Sequence, residues 1–324
     1  MVKVKHMAHK SLQTDLAGLR LRTPLLLASG IVGYAIEYEK LGGFDFESVG
    51  GVVLKGVNLH GKPGNKEPRI VDSTIGIINS IGLENPGVYK LVDEILPRVP
   101  RKTCLIANIF GDTVREYGEV AAVLNNVNDI HGIEVNISCP NVKRGGRLFG
   151  SDPAITREVL NTVKRSYRKG PVIAKLSPSV ADITEIAKAA VDGGADAISL
   201  VNTMPALAVN LHSKPPRAML GNNFGGLSGP AIKPIGLAKV CQVYQCFKNS
   251  GIKIPIIGIG GIMDANDALE YMVAGASAVQ VGTVIFTNHH ACSEIIHGIE
   301  RYLKGRKMRL AGTKGIVGSL VYNS

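Results

Sequence analysis

The chain has 324 residues, of which 45% are hydrophobic and only 19% are charged. This composition is typical of a globular protein with a large buried core and excludes an intrinsically disordered chain. Lysine and arginine number 37 against 26 acidic residues, which gives a formal net charge of +11. We interpret the excess as solvated surface charge, because few aromatic residues accompany the basic C-terminal tail and nucleic-acid binding is therefore not favoured.

Cysteine usage and the apolar runs indicate the cellular compartment. The five cysteines are odd in number and widely separated: Cys104, Cys139, Cys241, Cys246 and Cys292. This pattern argues against a disulfide framework, fits a reducing compartment and lacks the clustered spacing of a zinc or iron–sulfur site. Residues 1–12 have no apolar core, and the longest apolar runs are too short to span a bilayer. We therefore expect a cytoplasmic protein with no metal site and no membrane association.

Taken in chain order, the sequence predicts a short β-hairpin at LAGLRLRTP and then alternating strands and helices. The eight predicted strands are Leu25–Ser29, Gly51–Val57, Thr103–Phe110, Gly132–Ser138, Pro171–Ser177, Ala197–Thr203, Pro255–Gly261 and Ala278–Thr283. Strands that are apolar on both faces need helices outside them, and eight such units close into a barrel. We predict an α/β fold, a (β/α)8 TIM barrel whose bottom the hairpin closes. An open doubly wound sheet is the alternative.

Three stretches carry clear helix signals. SDPAITREVLNTVKRSY opens on a capped start, SVADITEIAKAAVDGGADAISL has a helix ended by Gly193 and Gly194, and MDANDALEYMVAGASAVQVGT repeats that layout. Residues 58–102 and 204–235 are longer than ordinary connections, and we predict long loops over the C-terminal face there. The sequence has no domain boundary, so we expect residues 1–324 to form a single barrel domain.

The ends of the predicted strands are unusually polar. They carry Ser29, Lys55, Gly56, Asn108, Asn136, Ser138, Cys139, Lys175, Asn202, Thr203, Gly260, Gly261, Gly282 and Thr283. In this fold the C-terminal ends of the strands form the active site. Lysine and asparagine inside apolar strands cost several kcal/mol if they are buried without partners, so their repetition indicates a polar ligand at the barrel mouth.

The glycines and lysines of this set favour a ligand with a phosphate group. Paired glycines after the seventh and eighth strands let backbone N–H groups approach a phosphate, although glycine also serves tight turns. Lys55 and Lys175 would then project toward the ring of a bound cofactor. A positive charge at that place stabilises electron density gained on reduction.

Cys139 is the candidate acid/base. It follows the fourth strand in VNISCPNVKRGG, where Pro140 turns the chain out of the strand and a basic, glycine-rich loop follows. A thiol with a pKa of about 8.5 removes a moderately acidic C–H proton once neighbouring cations or hydrogen bonds favour its thiolate. The alternative is a buried, inert cysteine. We interpret Cys104 and the cysteines in the helices as core or surface residues without a catalytic role.

Several motifs in the sequence resemble those of a known enzyme family. The motifs NISCPNVKRGG, NSIGLENPG, ASGIVGYAIEY, LVNT, GGLSGPAIKP, IPIIGIGGI and AGASAVQVGT are similar to those of the class 1 dihydroorotate dehydrogenases, most of all the NAD-linked type B catalytic subunit. The likeness extends from Leu16 to Thr283. Class 2 members are membrane-associated and use serine as the base, so a cysteine at position 139 points away from them. Gly56 departs from the pattern, which has a small hydroxyl residue or alanine there.

The resemblance implies a set of site residues. FMN contacts would come from Ser29, Lys55, Gly56, Asn108, Asn136, Lys175, Val201, Gly229, Gly260, Gly261, Gly282 and Thr283. Substrate contacts would come from Lys55, Asn79, Ser80, Ile81, Gly82, Leu83, Asn136, Asn202 and Thr203. Cys139 would take the C5 proton of dihydroorotate while the N5 atom of FMN receives hydride from C6. The product would be orotate, an intermediate of pyrimidine biosynthesis.

The resemblance also implies partners. A type B enzyme pairs a homodimeric core with a second subunit that carries FAD and a [2Fe–2S] cluster and passes electrons to NAD. The alternatives are a fumarate-linked type A enzyme, a tRNA-dihydrouridine synthase, a barrel like the pyrimidine-reducing domain of dihydropyrimidine dehydrogenase, and a non-catalytic nucleotide-binding barrel. The tRNA-modifying family carries a sizeable C-terminal helical domain, whereas only residues 284–324 follow the last predicted strand here.

Overall fold

Eight parallel strands form a closed barrel in this computed structural model, which describes residues 10–40, 44–138, 143–144, 147–312 and 315–323. The barrel strands are β1 (Leu25–Leu27), β2 (Gly51–Val53), β3 (Cys104–Ile109), β4 (Gly132–Asn136), β5 (Val172–Leu176), β6 (Ala197–Leu200), β7 (Ile256–Ile259) and β8 (Ala278–Val281). Each strand pairs with its neighbours in chain order, and β8 pairs with β1 to close the ring. The predicted TIM barrel is confirmed, and the open sheet is excluded.

A helix follows each barrel strand on the outside. These helices are α1 (Ile36–Lys40), α2 (Val88–Lys90), α3 (Val114–Asn125), α4 (Pro153–Ser166), α5 (Ile183–Asp192), α6 (Lys233–Ser250), α7 (Ala265–Ala274) and α8 (Ala291–Arg306). A π-helical turn (Leu91–Ile95) and a 3-10 turn (Leu96–Arg98) extend α2. Other 3-10 turns lie at Lys10–Leu12, Phe46–Ser48, Phe149–Ser151, Pro230–Ile232 and Thr283–Phe286.

The predicted helix starts and stops are the observed ones. The Asp152 carboxylate caps α4 by accepting from the N–H groups of Ala154 and Ile155 at 2.9 and 3.2 Å. Gly193 ends α5, and α7 begins with a capping box between Asp264 and Asp267. Each of these caps satisfies backbone N–H or C=O groups that a helix end leaves unpaired.

The barrel strands are shorter than the sequence predicts. Regular pairing in β2 ends at Val53, whereas the predicted strand continues to Val57. The Leu54 N–H still donates to Ile106 O at 2.9 Å, and Val57 makes an isolated bridge to Ile109. Between them the Lys55 N–H donates to Gly33 O at 2.9 Å instead of to the neighbouring strand, and regular pairing is interrupted there.

The N-terminal hairpin closes the bottom of the barrel, as predicted. Thr14–Leu16 pairs with Leu19–Leu21, and both turn residues, Ala17 and Gly18, have positive φ. This conformation matches the twist of the flanking strands. The fully buried Leu16 and Leu21 side chains pack into the barrel interior beneath its lowest side chains.

The two long insertions meet above the mouth and form one sheet, which the sequence analysis predicted only as loops. We call it the mouth sheet; it is antiparallel, in the order Met204–Leu207, Phe224–Ser228, Gly76–Asn79 and Ile70–Ser73. Two strand pairs lie apart from it: Val209–Asn210 with Arg217–Ala218, and Lys143–Arg144 with Arg147–Leu148. Among the described residues, no helix combines the length and the apolar character needed to cross a membrane.

Candidate active site

The barrel interior is built in layers of opposite character. Side chains two residues apart on a strand point to the same face. The lower layer is apolar and contains Leu26, Val53, Ile106, Ile173, Ala197, Ile257 and Ala278. Two residues further along four of these strands stand Asn108, Lys175, Ser199 and Gln280, and Glu134 of β4 joins them. We call these five buried residues the polar layer.

Glu134 is the centre of the polar layer. Its side chain is fully buried. One carboxylate oxygen, Oε1, accepts a hydrogen bond from Asn108 Nδ2 at 2.8 Å and lies 3.5 Å from Lys175 Nζ. The other, Oε2, accepts from Ser199 Oγ at 2.9 Å and from Gln280 Nε2 at 2.8 Å. A buried carboxylate is stable only when it is paired and hydrogen-bonded, and this one has both kinds of partner.

Asn136 and Asn202 lie one level higher, at the mouth. Asn202 Nδ2 donates to Asn136 Oδ1 at 3.3 Å, and the Ser138 backbone N–H donates to the same oxygen at 3.2 Å. The Thr203 backbone N–H donates to Asn202 Oδ1 at 2.9 Å. The structure therefore brings together three predicted substrate contacts, Asn136, Asn202 and Thr203.

The predicted substrate segment 79–83 lies between the mouth sheet and Lys55. At its start, Asn79 Nδ2 donates to Gly226 O at 3.2 Å, and Gly226 packs so closely on Thr203 that an added Cβ would lie 2.0 Å from Thr203 Oγ1. Just after its end, Glu84 Oε2 lies 3.6 Å from Lys55 Nζ. These contacts place both ends of the segment beside other predicted ligand-binding residues.

Within that segment, Gly82 and Leu83 have positive φ. A Cβ on Gly82 would lie 2.4 Å from the Asn65 backbone nitrogen. Asn65 Nδ2 also donates to Ser80 Oγ at 2.9 Å. The insertion therefore folds on itself and holds Ser80 to Leu83 in one conformation.

Tyr34 lies near the same ion pair. Burial and, second, the nearby Glu84 carboxylate raise the pKa of the Tyr34 hydroxyl well above its ordinary value. The hydroxyl is buried without a hydrogen-bond partner among the described residues. It therefore stays protonated, a potential donor near Glu84.

Several predicted glycines lie where a side chain would collide. A Cβ on Gly56 would lie 2.6 Å from Asn108 Oδ1, so in this conformation the Asn108 side chain occupies the space that a residue larger than glycine would need. Gly261 has a φ of +67°, and its Cβ would lie 2.8 Å from Gly229 O and 2.9 Å from Lys233 N. Gly229, which follows the mouth-sheet strand Phe224–Ser228, and Gly260 and Gly261, which follow β7, therefore form a close backbone cradle.

Three other predicted residues lie on this rim. Thr283 Oγ1 donates to or accepts from Ser228 Oγ at 3.0 Å, next to Gly282 and to the cradle. Ser29 Oγ donates to Leu54 O at 2.8 Å. Val201 directly follows β6 and is buried. The predicted cofactor residues thus lie at the C-terminal ends of the barrel strands or on the turns that follow them, except Gly229, which follows the mouth-sheet strand Phe224–Ser228.

Cys139 lies outside the described residues, so its role stays a prediction. Ser138, which precedes it, is at the mouth and donates from Oγ to Lys175 O at 3.2 Å. Of the other cysteines, Cys104 and Cys292 lie in apolar surroundings, and burial raises the pKa of the Cys104 thiol to about 12. Burial likewise raises the pKa of the Cys292 thiol. Both thiols are protonated at neutral pH and are weak nucleophiles.

Sequence reasoning missed Glu134 and Gln280. It considered the residues that end each strand, whereas these two lie inside β4 and β8. The signal was available, because a glutamate in GIEVNI and a glutamine in SAVQV interrupt apolar runs in the same way as Lys175 does. Such residues cost free energy unless the fold supplies partners, which only the closed barrel brings together.

The closed barrel and the polar side chains at its C-terminal end are typical of α/β-barrel enzymes, which have their active sites at the mouth. The family model described as dihydroorotate dehydrogenase matches residues 11–303. Two relatives, from Geotalea uraniireducens (strain Rf4) and Geotalea daltonii (strain DSM 22248 / JCM 15807 / FRC-32), are named dihydroorotate dehydrogenase B (NAD(+)), catalytic subunit. They are 45% and 46% identical over 97% of this chain and over 100% and 99% of their own lengths.

A further relative, from Aquifex aeolicus (strain VF5), is named putative dihydroorotate dehydrogenase A (fumarate). It is 44% identical over 92% of this chain and 95% of its own length. The chain belongs to the dihydroorotate dehydrogenase family and is an oxidoreductase. The resemblance found in the sequence motifs is thereby confirmed.

Proposed function

We propose that this chain, as one barrel domain, catalyses the FMN-dependent oxidation of (S)-dihydroorotate to orotate in de novo pyrimidine biosynthesis. The observation that carries the proposal is the buried polar layer beneath the mouth of the barrel, in a chain of this family. An interior of lysine, glutamate and amides is costly for a barrel that only needs to be stable, and a polar ligand above it accounts for that cost.

The residues at the mouth fit FMN. Gly229, Gly260 and Gly261 pack closely against neighbouring protein atoms at the mouth, and their backbone N–H groups would bind the phosphate, as at other barrel phosphate sites. Lys175 is buried, and its contact with Glu134 uses one of the three donors of its ammonium group. Lys175 and Asn108 would face the ring of the flavin. When bound, FMN supplies the hydride acceptor that no amino-acid side chain provides.

The substrate proposal follows from the groups above that ring. Dihydroorotate is a cyclic amide with several carbonyl and N–H edges and one carboxylate. Asn79, Asn136, Asn202 and Thr203 offer donors and acceptors for the edges. Lys55 offers a cation for the carboxylate, and in the structure that cation lies 3.6 Å from Glu84. A bound substrate carboxylate would compete with Glu84 for it.

We assign the proton abstraction to Cys139. The chain reaches this position from Ser138 at the mouth. Its thiolate would remove the C5 proton of dihydroorotate as the C6 hydrogen leaves with its electron pair. Two electrons and two protons in all then pass from substrate to enzyme, which balances the conversion of a C–C single bond into a double bond.

The electron acceptor is proposed from the named relatives. Those called catalytic subunits of the B enzyme favour NAD, reached through a separate subunit with FAD and a [2Fe–2S] cluster, around a homodimer of this chain. The similarity to the Aquifex protein keeps fumarate as the second candidate. Purification from native cells separates them. We expect an iron–sulfur flavoprotein to co-elute from the cytoplasmic fraction, whereas activity with fumarate and no such partner would indicate the A type.

The test of the reaction is anaerobic mixing of the purified, FMN-loaded chain with dihydroorotate. We expect the flavin absorbance to bleach and orotate to form in equal amount. The matched measurement uses dihydrouracil, which lacks the carboxylate and should reduce the flavin far more slowly. A chain that takes up no FMN, or whose bound FMN dihydroorotate leaves oxidised, would contradict the proposal.

A further inference from the structure

We propose that Glu134 is a positioning residue for the flavin site: it holds Asn108 and Lys175 in the geometry that binds FMN and sets the charge beside the ring. The inference rests on the proposed function, because it takes FMN as the ligand above these two side chains. Glu134 itself does not need to touch the cofactor. It lies in the middle of β4, between the apolar lower layer and the mouth.

The two oxygens of Glu134 have different tasks. Oε2 is fixed by Ser199 of β6 at 2.9 Å and Gln280 of β8 at 2.8 Å. Oε1 receives Asn108 of β3 at 2.8 Å and lies 3.5 Å from Lys175 of β5. A carboxylate is planar, so partners that fix one oxygen also fix the direction of the other. The far side of the barrel thereby orients the two residues proposed to face FMN.

Glu134 decides how the Asn108 amide is turned. Because Nδ2 donates to Glu134, the Oδ1 atom must point the other way, toward Gly56, where an added Cβ would lie only 2.6 Å from it. An amide whose two ends are distinguished in this manner presents a defined pattern of donor and acceptor to a ligand. Without an acceptor at position 134 that distinction disappears.

Glu134 also balances the charge of Lys175. The two side chains are 0% and 8% exposed, so water screens their attraction little. With the carboxylate in place, the pair adds almost no net charge beneath the flavin. If the carboxylate were replaced by an amide, the unbalanced ammonium would favour the reduced, electron-rich flavin and raise its midpoint potential.

Fold stability alone does not explain the cluster. The barrel fills the layer below with leucine, isoleucine, valine and alanine, and replacing a buried ionic group by apolar residues is often neutral or stabilising. In addition, Gln280 Oε1 is buried without a hydrogen-bond partner among the described residues. An arrangement selected only for stability would not leave that acceptor unpaired.

The test compares Glu134→Gln with Ser199→Ala, which removes one hydrogen bond from the same carboxylate at its other oxygen and leaves the charge. FMN binding is measured by quenching of flavin fluorescence on addition to apoprotein, the midpoint potential by dye-linked reduction, and apoprotein stability by thermal unfolding. For Glu134→Gln we expect FMN to bind at least about tenfold more weakly than to the wild type, and the midpoint potential of the flavin to be higher. For Ser199→Ala, in which Gln280 still donates to Oε2, we expect a smaller loss of FMN affinity than for Glu134→Gln, about threefold, and the wild-type potential.

Two further variants keep the test decisive. Lys175→Met should lower the potential, the opposite sign to Glu134→Gln. Glu134→Asp keeps the negative charge but shortens the side chain by one methylene, so we expect the wild-type midpoint potential and weaker FMN binding. If Glu134→Gln does not fold, Glu134→Asp alone tests the inference. The inference would be overturned if Glu134→Gln bound FMN with wild-type affinity and had the wild-type potential. It would also be overturned if Glu134→Asp bound FMN with wild-type affinity. A wild-type chain that binds no FMN would instead reject the proposed function.

Discussion

The two ends of the barrel interior contain side chains of opposite polarity. At the N-terminal end, Leu16 and Leu21 of the hairpin seal a layer made only of apolar side chains. At the C-terminal end, the mouth sheet covers a layer centred on a buried carboxylate and lysine. One strand can serve both ends, because β3 contributes Ile106 below and Asn108 two residues above. The apolar packing that stabilises the barrel and the proposed active site therefore lie at opposite ends of the barrel axis.

The largest expected effect is at the mouth. Replacing Cys139 with alanine should slow the reduction of bound FMN by dihydroorotate by about 10²–10⁴-fold, because general base catalysis contributes that much. FMN binding and the unfolding temperature should stay unchanged. Rapid-mixing absorbance measures the rate. Cys104→Ala is the matched control, and it should reduce flavin at the wild-type rate; equal rates in the two variants would remove Cys139 from the mechanism.

The next effect is at the opposite end. Leu26→Ala removes a fully buried side chain from the lower layer and should destabilise the protein by about 2–5 kcal/mol. Chemical denaturation of the apoprotein measures the loss. Leu211, which is 75% exposed on an insertion at the mouth, gives the control, and Leu211→Ala should change stability by about 0.5 kcal/mol or less. The fraction of Leu26→Ala protein that is folded should bind FMN with wild-type affinity. Weaker binding would contradict the proposal that the apolar layer stabilises the barrel without taking part in ligand binding.

A smaller effect is expected at the glycine cradle. Gly261→Ala places a Cβ 2.8 Å from Gly229 O and should destabilise the protein by about 1–3 kcal/mol. We also expect it to weaken FMN binding. Gly251 is a close control, because its φ is +68° against +67° for Gly261 and no atom lies within 4 Å of its Cβ position. Gly251→Ala should cost only the left-handed conformation, about 1 kcal/mol. Equal FMN affinity in both variants would remove the cradle from the binding site.

The smallest difference concerns thiol reactivity. Burial raises the pKa of Cys104 to about 12, so at pH 8 only about one thiol in 10⁴ is ionised there. Iodoacetamide at pH 8, followed by peptide mass spectrometry, should leave Cys104 unmodified in the folded protein. The same reagent should label it after unfolding in urea. Labelling of Cys104 in the folded state at a rate similar to that of Cys139 would contradict the burial argument.

Most of the barrel was predictable from local pattern. All eight strands lie within the predicted ranges, because a strand buried on both faces has a short apolar run that turn residues interrupt. Helix limits were also predictable where aspartate or glycine caps stand, as at Asp152 and Gly193. The strand ends were predicted too long; after Val53, for example, Leu54 and Val57 are as apolar and as buried as the residues of the ladder.

The rest depended on contacts between distant segments. The mouth sheet pairs Asn79 with Gly226, and nothing near either residue indicates a partner so far along the chain. Glu134 illustrates the same limit for the site, because its four partners come from four different strands. Residues at strand ends such as Asn108 and Lys175 were identifiable from position alone, whereas the contacts through which Glu134 connects them are defined only in the closed ring.

The mouth sheet has a consequence for the order in which the molecule is assembled. Asn79 and Gly226 are separated by 147 positions, so the first half of the cover is synthesised well before its partner strand exists. Pairing over such a distance is slow, since the ends of a long loop must first be brought together. All four strands of the mouth sheet nevertheless precede β7 and β8 along the chain, and these two strands are needed to close the ring. The cover and the barrel beneath it are therefore both completed by the second half of the chain.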